Sequence, residues 1–217
     1  MKLILASNNA KKLAELRLLL AGLPLELLPQ GELGIAEAEE PHLTFIENAL
    51  TKARHASLAS GLPAIADDSG LCVHALGGAP GVVSAHYAPN NAHGALPRAL
   101  KFTEREEQRR AQDAANNALL LQRLHGQPDR RAAFVSTLVA VRHAADPEPL
   151  VASGRWAGMI LDEARGAGGF GYDPLMFIPQ LNASVAELDA ASKNEYSHRA
   201  LAAAQLRVLL REAWSLA

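Results

Sequence analysis

Two adjacent carboxylates, a hydroxyl and a glycine close an apolar run at Ala64-Ile65-Ala66-Asp67-Asp68-Ser69-Gly70-Leu71. The apolar residues read as a buried strand that reaches a working edge. Side chains alternate along a strand, so Asp67 and Asp68 are expected on opposite faces. One can take a structural hydrogen bond while the other meets a metal or a water. Like charges this close repel, and buried carboxylates need partners, so the pair is costly for folding alone. The plainer alternative is an Asp-Ser-Gly turn joining two strands, Pro63 to Asp67 and Leu71 to Leu76. Taken alone, the octapeptide leans slightly towards the turn.

Other segments add donors and acceptors. Ser7-Asn8-Asn9-Ala10-Lys11-Lys12 lies where a first strand gives way to a first helix. Free backbone N–H groups and the positive dipole end suit an anion such as a triphosphate, and Ser7, Asn9 and Lys12 add side-chain donors. A helix cap plus a surface lysine would read the same way. Thr44, Asn48 and Lys52 fall at i, i+4, i+8 and form one polar stripe on a helix, which suggests phosphate contact or a solvated face. Glu37, Glu39 and Glu40 precede that helix. A carboxylate from this loop and one from Asp67-Asp68 could hold Mg²⁺, which takes few protein carboxylates and keeps waters and phosphate oxygens. Otherwise the loop is simply solvated.

Gly168-Gly169-Phe170-Gly171-Tyr172-Asp173-Pro174 is the second strong signal. Its glycines allow close approach to a flat ligand, Phe170 offers a stacking face, and Asp173 is an acceptor. The plainer alternative is a tight loop with Phe170 as a core plug. Lys193, His198 and Arg199 are donors around the start of the last helix and suit an electron-rich partner. Several chemistries have no signature: there is no Walker loop, no His-Glu-x-x-His, no Cys-x-x-Cys and no Gly-x-Ser-x-Gly.

The elements that must position these groups interleave without strict alternation. Strands are expected at Lys2 to Ala6, Leu25 to Leu28, Ala132 to Arg142 and Leu150 to Trp156, besides those flanking the aspartates. Helices are expected at Ala10 to Ala21, Thr44 to Ser60, Asp113 to Leu124 and Ser197 to Trp214. Thr44 and Glu47 have the form of a capping box; Ser184 and Ser192 each sit before a glutamate at the same spacing and are expected to open short helices. A mixed sheet fits this order better than a purely parallel one. Pro89 to about Arg110 reads as a mobile excursion with room for a short solvated helix. The chain has 217 residues, 49% hydrophobic and 20% charged, with formal net charge -2. That suits one large domain or two joined lobes and gives no bulk attraction for nucleic acid. The single Cys72 excludes an internal disulfide. The apolar N-terminal run is too short for a signal peptide or a membrane span, so a cytoplasmic protein is expected.

In order, these segments resemble the inosine triphosphate pyrophosphatase family. The resemblance runs through Ser7 to Lys12, Thr44 to Ala49 with Lys52-Ala53, Ala66 to Leu71, Gly77-Gly78-Ala79-Pro80-Gly81, Gly168 to Pro174 and Ser197-His198-Arg199. It spans nearly the whole chain outside the excursion. It implies an α/β fold of two lobes around a long mixed sheet with flanking helices, the active site in the cleft between them, in a homodimer. The implied reaction is Mg²⁺-dependent hydrolysis of ITP, dITP or XTP to the monophosphate and pyrophosphate. Ser7, Asn9, Lys12 and Lys52 would hold the triphosphate. Glu40 and Asp68 would hold Mg²⁺, with Asp68 polarising the attacking water. Phe170 would stack on the base, and Tyr172, Asp173, Lys193, His198 and Arg199 would surround base and sugar, with Ser69 nearby. Two positions depart from the family pattern: Asn8 stands where glycine is common, and His86 where arginine is usual.

Two other functions fit parts of the same pattern. One is a related nucleotide pyrophosphatase with another base preference, such as modified pyrimidines. The other is a purine nucleotide sensor without turnover, which would have no need for acids crowded beside phosphates. Base choice has a physical form: donors aimed at O6 and an acceptor at N1 reject adenine by leaving buried groups unpaired. Guanine differs from hypoxanthine only by its 2-amino group, and the sequence shows no wall against it.

Overall fold

The short apolar run Lys2–Leu5 forms β1, with Leu3, Ile4 and Leu5 buried. It pairs in parallel with β2 (Glu26–Pro29) on one side and β3 (Ala64–Val73) on the other. The computed structural model describes residues 1–89 and 102–216. Among these residues one seven-stranded sheet runs in the order β2-β1-β3-β4-β5-β6-β7, where β4 is Arg131–Val141, β5 Leu150–Ile160, β6 Met176–Ile178 and β7 Ala183–Ser184. The β5–β6 and β6–β7 pairings are antiparallel, so the sheet is mixed and open, as expected. The helices are α1 (Ala10–Leu19), α2 (Phe45–Ser60), α3 (Phe102–Arg123), α4 (Ala190–Tyr196) and α5 (His198–Trp214). None is long and apolar enough to cross a membrane among the described residues.

The chain divides into two compact units. One holds Met1–Ser69, Val135–Trp156 and Ala191–Ala217; the other holds Gly70–Phe134 and Ala157–Ala190. In the first unit, strand alternation sorts the core into two layers. Leu3, Leu5, Ile65, Leu138 and Ala140 pack with Leu16 and Leu20 of the α1 segment and with Ala202, Ala203, Leu206 and Leu210 of α5. Ile4, Ala6, Ala64, Ala66, Val139 and Val141 pack with Ala49, Ala53 and Ala56 of α2. The alanine stripe lets α2 lie close on the strands. Gly154 of β5 does the same for α5: a Cβ there would come within 2.0 Å of the His198 carbonyl oxygen. A glycine inside a strand often marks such an approach.

Several local expectations change. β3 runs unbroken through Asp67-Asp68-Ser69-Gly70, so the two strands and the turn between them are one strand. His74–Leu76 is a 3-10 turn rather than strand. α3 begins at Phe102, well before Asp113, so the short helix allowed for within the excursion is the first part of this longer one. The expected excursion therefore ends in helix, and residues 90–101 of it lie outside the described residues. Ser184 does cap a 3-10 turn with Glu187 in a reciprocal box, whereas Ser192 sits inside α4 and opens nothing.

The expected turn between β4 and β5 is held by Asp146. Its buried carboxylate accepts the Arg142 N–H at 2.8 Å and the Glu148 N–H at 3.0 Å. Burial alone would raise this carboxyl; the two N–H groups outweigh it and hold it below its usual value. Its contribution to stability is therefore present above about pH 4 and is lost as pH falls through the lowered folded value. Asp146→Asn should cost about 1–2 kcal/mol at pH 7. The difference from wild type should shrink in urea unfolding at acid pH; a deficit constant with pH would refute the assignment.

Candidate active site

Alternation fixes where the two aspartates go. Asp67 follows Ile65 towards α1 and α5, and Asp68 follows Ala66 towards α2. The Asp67 side chain is 0% exposed and the Arg199 side chain 2%. Arg199 donates to Asp67 Oδ2 through Nε at 3.2 Å and Nη2 at 3.1 Å. Lys12 Nζ lies 2.9 Å from the same oxygen. Oδ1 accepts from Ser136 at 2.8 Å and from Ser69. Burial would raise the Asp67 carboxyl, but Arg199 and Lys12 outweigh it and hold it well below the carboxylate range. Arg199 also donates to Glu15, which lies 4.0 Å from Lys193.

The two cations of this face, Lys12 and Arg199, each stand in the first turn of a helix. Asn9 caps α1, accepting the Lys11 and Lys12 N–H groups at 3.0 and 3.2 Å, while Ser7 Oγ accepts from Asn9 N–H at 3.1 Å. Ser197 caps α5 through the Ala200 N–H. His198 opens that helix. Burial and the neighbouring Arg199 hold its imidazole well below the usual value, so it is neutral.

Asp68 meets a different environment. Lys52 of α2 donates to Asp68 Oδ1 and to Glu40 Oε2, each at 2.8 Å. Side-chain exposure grades outward from 7% at Asp68 through 11% at Lys52 to 44% at Glu40. Burial, only partly offset by Lys52 and reinforced by Glu40, pushes the Asp68 carboxyl up to about 6. Glu40 is lowered: burial opposes this, and Lys52 prevails. Asp68 Oδ2 is buried without a hydrogen-bond partner among the described residues.

The acidic loop is anchored rather than simply solvated. Asn48 accepts the His42 N–H at 3.0 Å and returns a bond to the His42 carbonyl at 3.2 Å. His55 Nε2 is 2.9 Å from the Ala36 carbonyl, and Asn8 donates to Glu37 at 3.1 Å. The Thr44–Asn48–Lys52 stripe thus caps the helix, holds the loop and reaches both acids. Of the three candidate glutamates, Glu40 is the one that joins Asp68.

Phe170, Tyr172 and Asp173 lie in the other compact unit. Tyr172 is buried and its hydroxyl donates to the Ser84 carbonyl at 2.9 Å. Burial, with Tyr87 and Asp113 adding to it, pushes that hydroxyl up, so it stays a donor. Asp173 is also buried and accepts the Phe170 N–H at 3.0 Å. A Cβ on Gly169 would come within 2.1 Å of its carboxylate, so the loop needs glycine there. Phe170 is half-buried. Sequence reasoning missed Glu15 and Ser136, the further partners of Arg199 and Asp67. Ser136 stood as a polar residue in the apolar run Ala132 to Arg142, and that was its signal.

The Ham1 family profile matches residues 3–209. The chain belongs to the Ham1 family. All six sequence segments fall inside the matched span. A dITP/XTP pyrophosphatase from Methylibium petroleiphilum is 66% identical over 214 residues, covering 99% of this chain and 99% of that protein. One from Leptothrix cholodnii is 65% identical over 217 residues, covering 100% of each. The solved HAM1 protein from Coxiella burnetii superposes with a TM-score of 0.84 at 41% identity, covering 98% of this chain and 99% of that one. The Staphylococcus aureus Ham1 protein gives 0.81 at 33% identity, over 98% and 100%. The mixed α/β sheet is thus a Ham1 family feature.

The adjacent aspartates should respond oppositely to substitution. Asp67→Ala leaves Arg199 and Lys12 without their shared acid and should cost about 3–5 kcal/mol. Ionising Asp68 costs stability as pH rises from about 4 to about 6, since the folded carboxyl binds its proton more tightly there. Asp68→Asn should therefore leave stability unchanged or raise it. Denaturant unfolding at pH 7 checks both; losses of equal size would refute the division.

Proposed function

We propose that this protein hydrolyses deaminated purine nucleoside triphosphates, dITP, ITP and XTP, to the monophosphate and pyrophosphate. The observation that carries the proposal is the Glu40–Lys52–Asp68 set, two carboxylates around one ammonium with a buried oxygen of Asp68 unpartnered among the described residues. It stands in a chain 66% identical to a dITP/XTP pyrophosphatase.

The set fits Mg²⁺, an ion that takes one or two protein carboxylates and fills the rest of its shell with water and phosphate oxygens. Glu40 and Asp68 would hold it. No cluster of three or more histidine, cysteine or acidic side chains that could cage a metal is present among the described residues, which suits an ion shared with the substrate. When bound, Mg²⁺ supplies charge neutralisation on the phosphates.

The protein's own groups do the rest. Ser7, Asn9 and Lys12 present donors at the α1 N-terminus to the phosphates. Water adds to the α-phosphorus, the bond from that phosphorus to the bridging oxygen breaks, and the electron pair leaves with pyrophosphate. Asp68 orients the water and draws on its proton. Lys52 offers positive charge where the phosphates gain negative charge, so it serves the transition state more than the ground state. Arg199 contributes by holding Asp67, and through it Lys12 and Ser69. Phe170 is the stacking face for the base; Tyr172 and Asp173 support its loop. Lys193 and His198 are the remaining donors for base and sugar. A single domain in a cytoplasmic homodimer completes the proposal.

Pyrophosphate release with Mg²⁺ from dITP, XTP, dGTP and dATP tests it. The first two should be fast and the last two slow. Equal rates on all four would keep the chemistry and overturn the base selection. Binding without release would leave a nucleotide sensor. Asp68→Asn should lower kcat about 100-fold or more with KM changed only a few-fold; a near-normal rate would remove Asp68 from the mechanism.

A further inference from the structure

Phe170 sits between two glycines in the left-handed region, Gly169 at φ 74° and Gly171 at φ 60°. Glycine has the most backbone freedom of any residue, so an aromatic ring between two of them is poorly fixed by its own chain. A loose ring must be ordered at the moment a ligand stacks on it, and that cost weakens binding. Something outside the loop has to hold it.

Helix α3 does so with two side chains one turn apart. Asp113 Oδ2 accepts the Gly171 N–H at 2.8 Å, and Asn117 Nδ2 donates to the Gly171 carbonyl at 3.0 Å. On the other side Asp173 accepts the Phe170 N–H at 3.0 Å. The peptides on both sides of the aromatic residue are therefore pinned. α3 is seated by other groups as well. Asn116 ties it to the Ser84 and Ala85 carbonyls at 3.2 and 3.1 Å and to the Ala88 N–H at 2.8 Å, and Leu120 and Leu124 at its end are buried. Asp113 and Asn117 thus each place one polar atom on the same glycine of the loop.

We infer that Asp113 and Asn117 are positioning residues that hold Phe170 as a rigid face for the purine base. The inference rests on the reading of Phe170 as the stacking face. It adds that affinity for the base is set partly from α3, by side chains that touch no substrate.

Steady-state kinetics with dITP, and inhibition by inorganic tripolyphosphate as a base-free competitor, test it. Asp113→Ala and Asn117→Ala should each raise KM for dITP about fivefold or more, the worth of one buried hydrogen bond. kcat should stay within about twofold, because no interaction of the transition state is touched. The tripolyphosphate inhibition constant should not move. Asp113→Asn keeps an oxygen in place and should restore most of the affinity. Asn117→Asp keeps the size but sets an oxygen against the Gly171 carbonyl, so it should raise KM without emptying the helix face. In a Phe170→Ala background none of these should raise KM further. Unchanged KM in the α3 variants, with a raised KM in Phe170→Ala alone, would overturn the clamp and leave the stacking face standing. Equal losses for dITP and tripolyphosphate would overturn it as well, since the loop would then be only structural. An unchanged KM in Phe170→Ala would sink the stacking face and the clamp together.

Discussion

A carboxylate with no exposed side-chain surface lies in the third strand of a seven-stranded sheet, and it is tolerable only because Arg199 is buried against it. Removing two charges from water costs several kcal/mol each, and their attraction offsets this only with good geometry and satisfied hydrogen bonds. Asp67 has both. Two guanidinium bonds, one ammonium and two hydroxyls cover its oxygens. With that neutralisation in place, β3 can continue through Asp67-Asp68-Ser69-Gly70 as ladder rather than break into a turn. It also fixes α1 and α5 relative to the strand, since each sends its cation to the same oxygen.

The neighbouring acid is treated differently by the same rule of alternation. Asp68 faces α2, where one ammonium serves two carboxylates, and its second oxygen lacks a partner among the described residues. Two residues adjacent in sequence thus sit at opposite ends of the electrostatic range. One is satisfied and holds the fold. The other keeps a buried oxygen without a partner among the described residues, a local cost of the kind that functional sites commonly store while the scaffold compensates.

How much of this the sequence disclosed follows from what each signal depends on. The helix caps at Asn9, Thr44 and Ser197 are local chemistry, so α1, α2 and α5 were legible almost to the residue. The opposite facing of Asp67 and Asp68 follows from a two-residue period and was legible too. The continuity of β3 was not. An Asp-Ser-Gly sequence prefers a turn locally, and the partners that overrule it, Arg199 and Lys12, are distant in the chain. The same distance hid Glu15 and Ser136. Composition and spacing left Glu37, Glu39 and Glu40 open, and only the resemblance singled out Glu40; the anchors that set the loop, Asn48 and His55 on backbone atoms and Asn8 on the Glu37 carboxylate, leave no pattern in the sequence. The length of α3 was not legible either, because its first residues are charged in sequence and lack the apolar periodicity that marks a long helix.

The path of the chain between its two compact units carries a consequence for heredity. Three of the four crossings fall inside β3, β4 and β5, and the fourth at the first residue of α4, rather than in linkers. Neither unit is a continuous stretch of gene, and separating them severs three strands. A truncated half would expose raw strand edges, which invite pairing with other chains. Shuffling and nested deletion, which exchange or remove parts of a chain, therefore have no seam to use between these units. The two units must be inherited, expressed and lost as one.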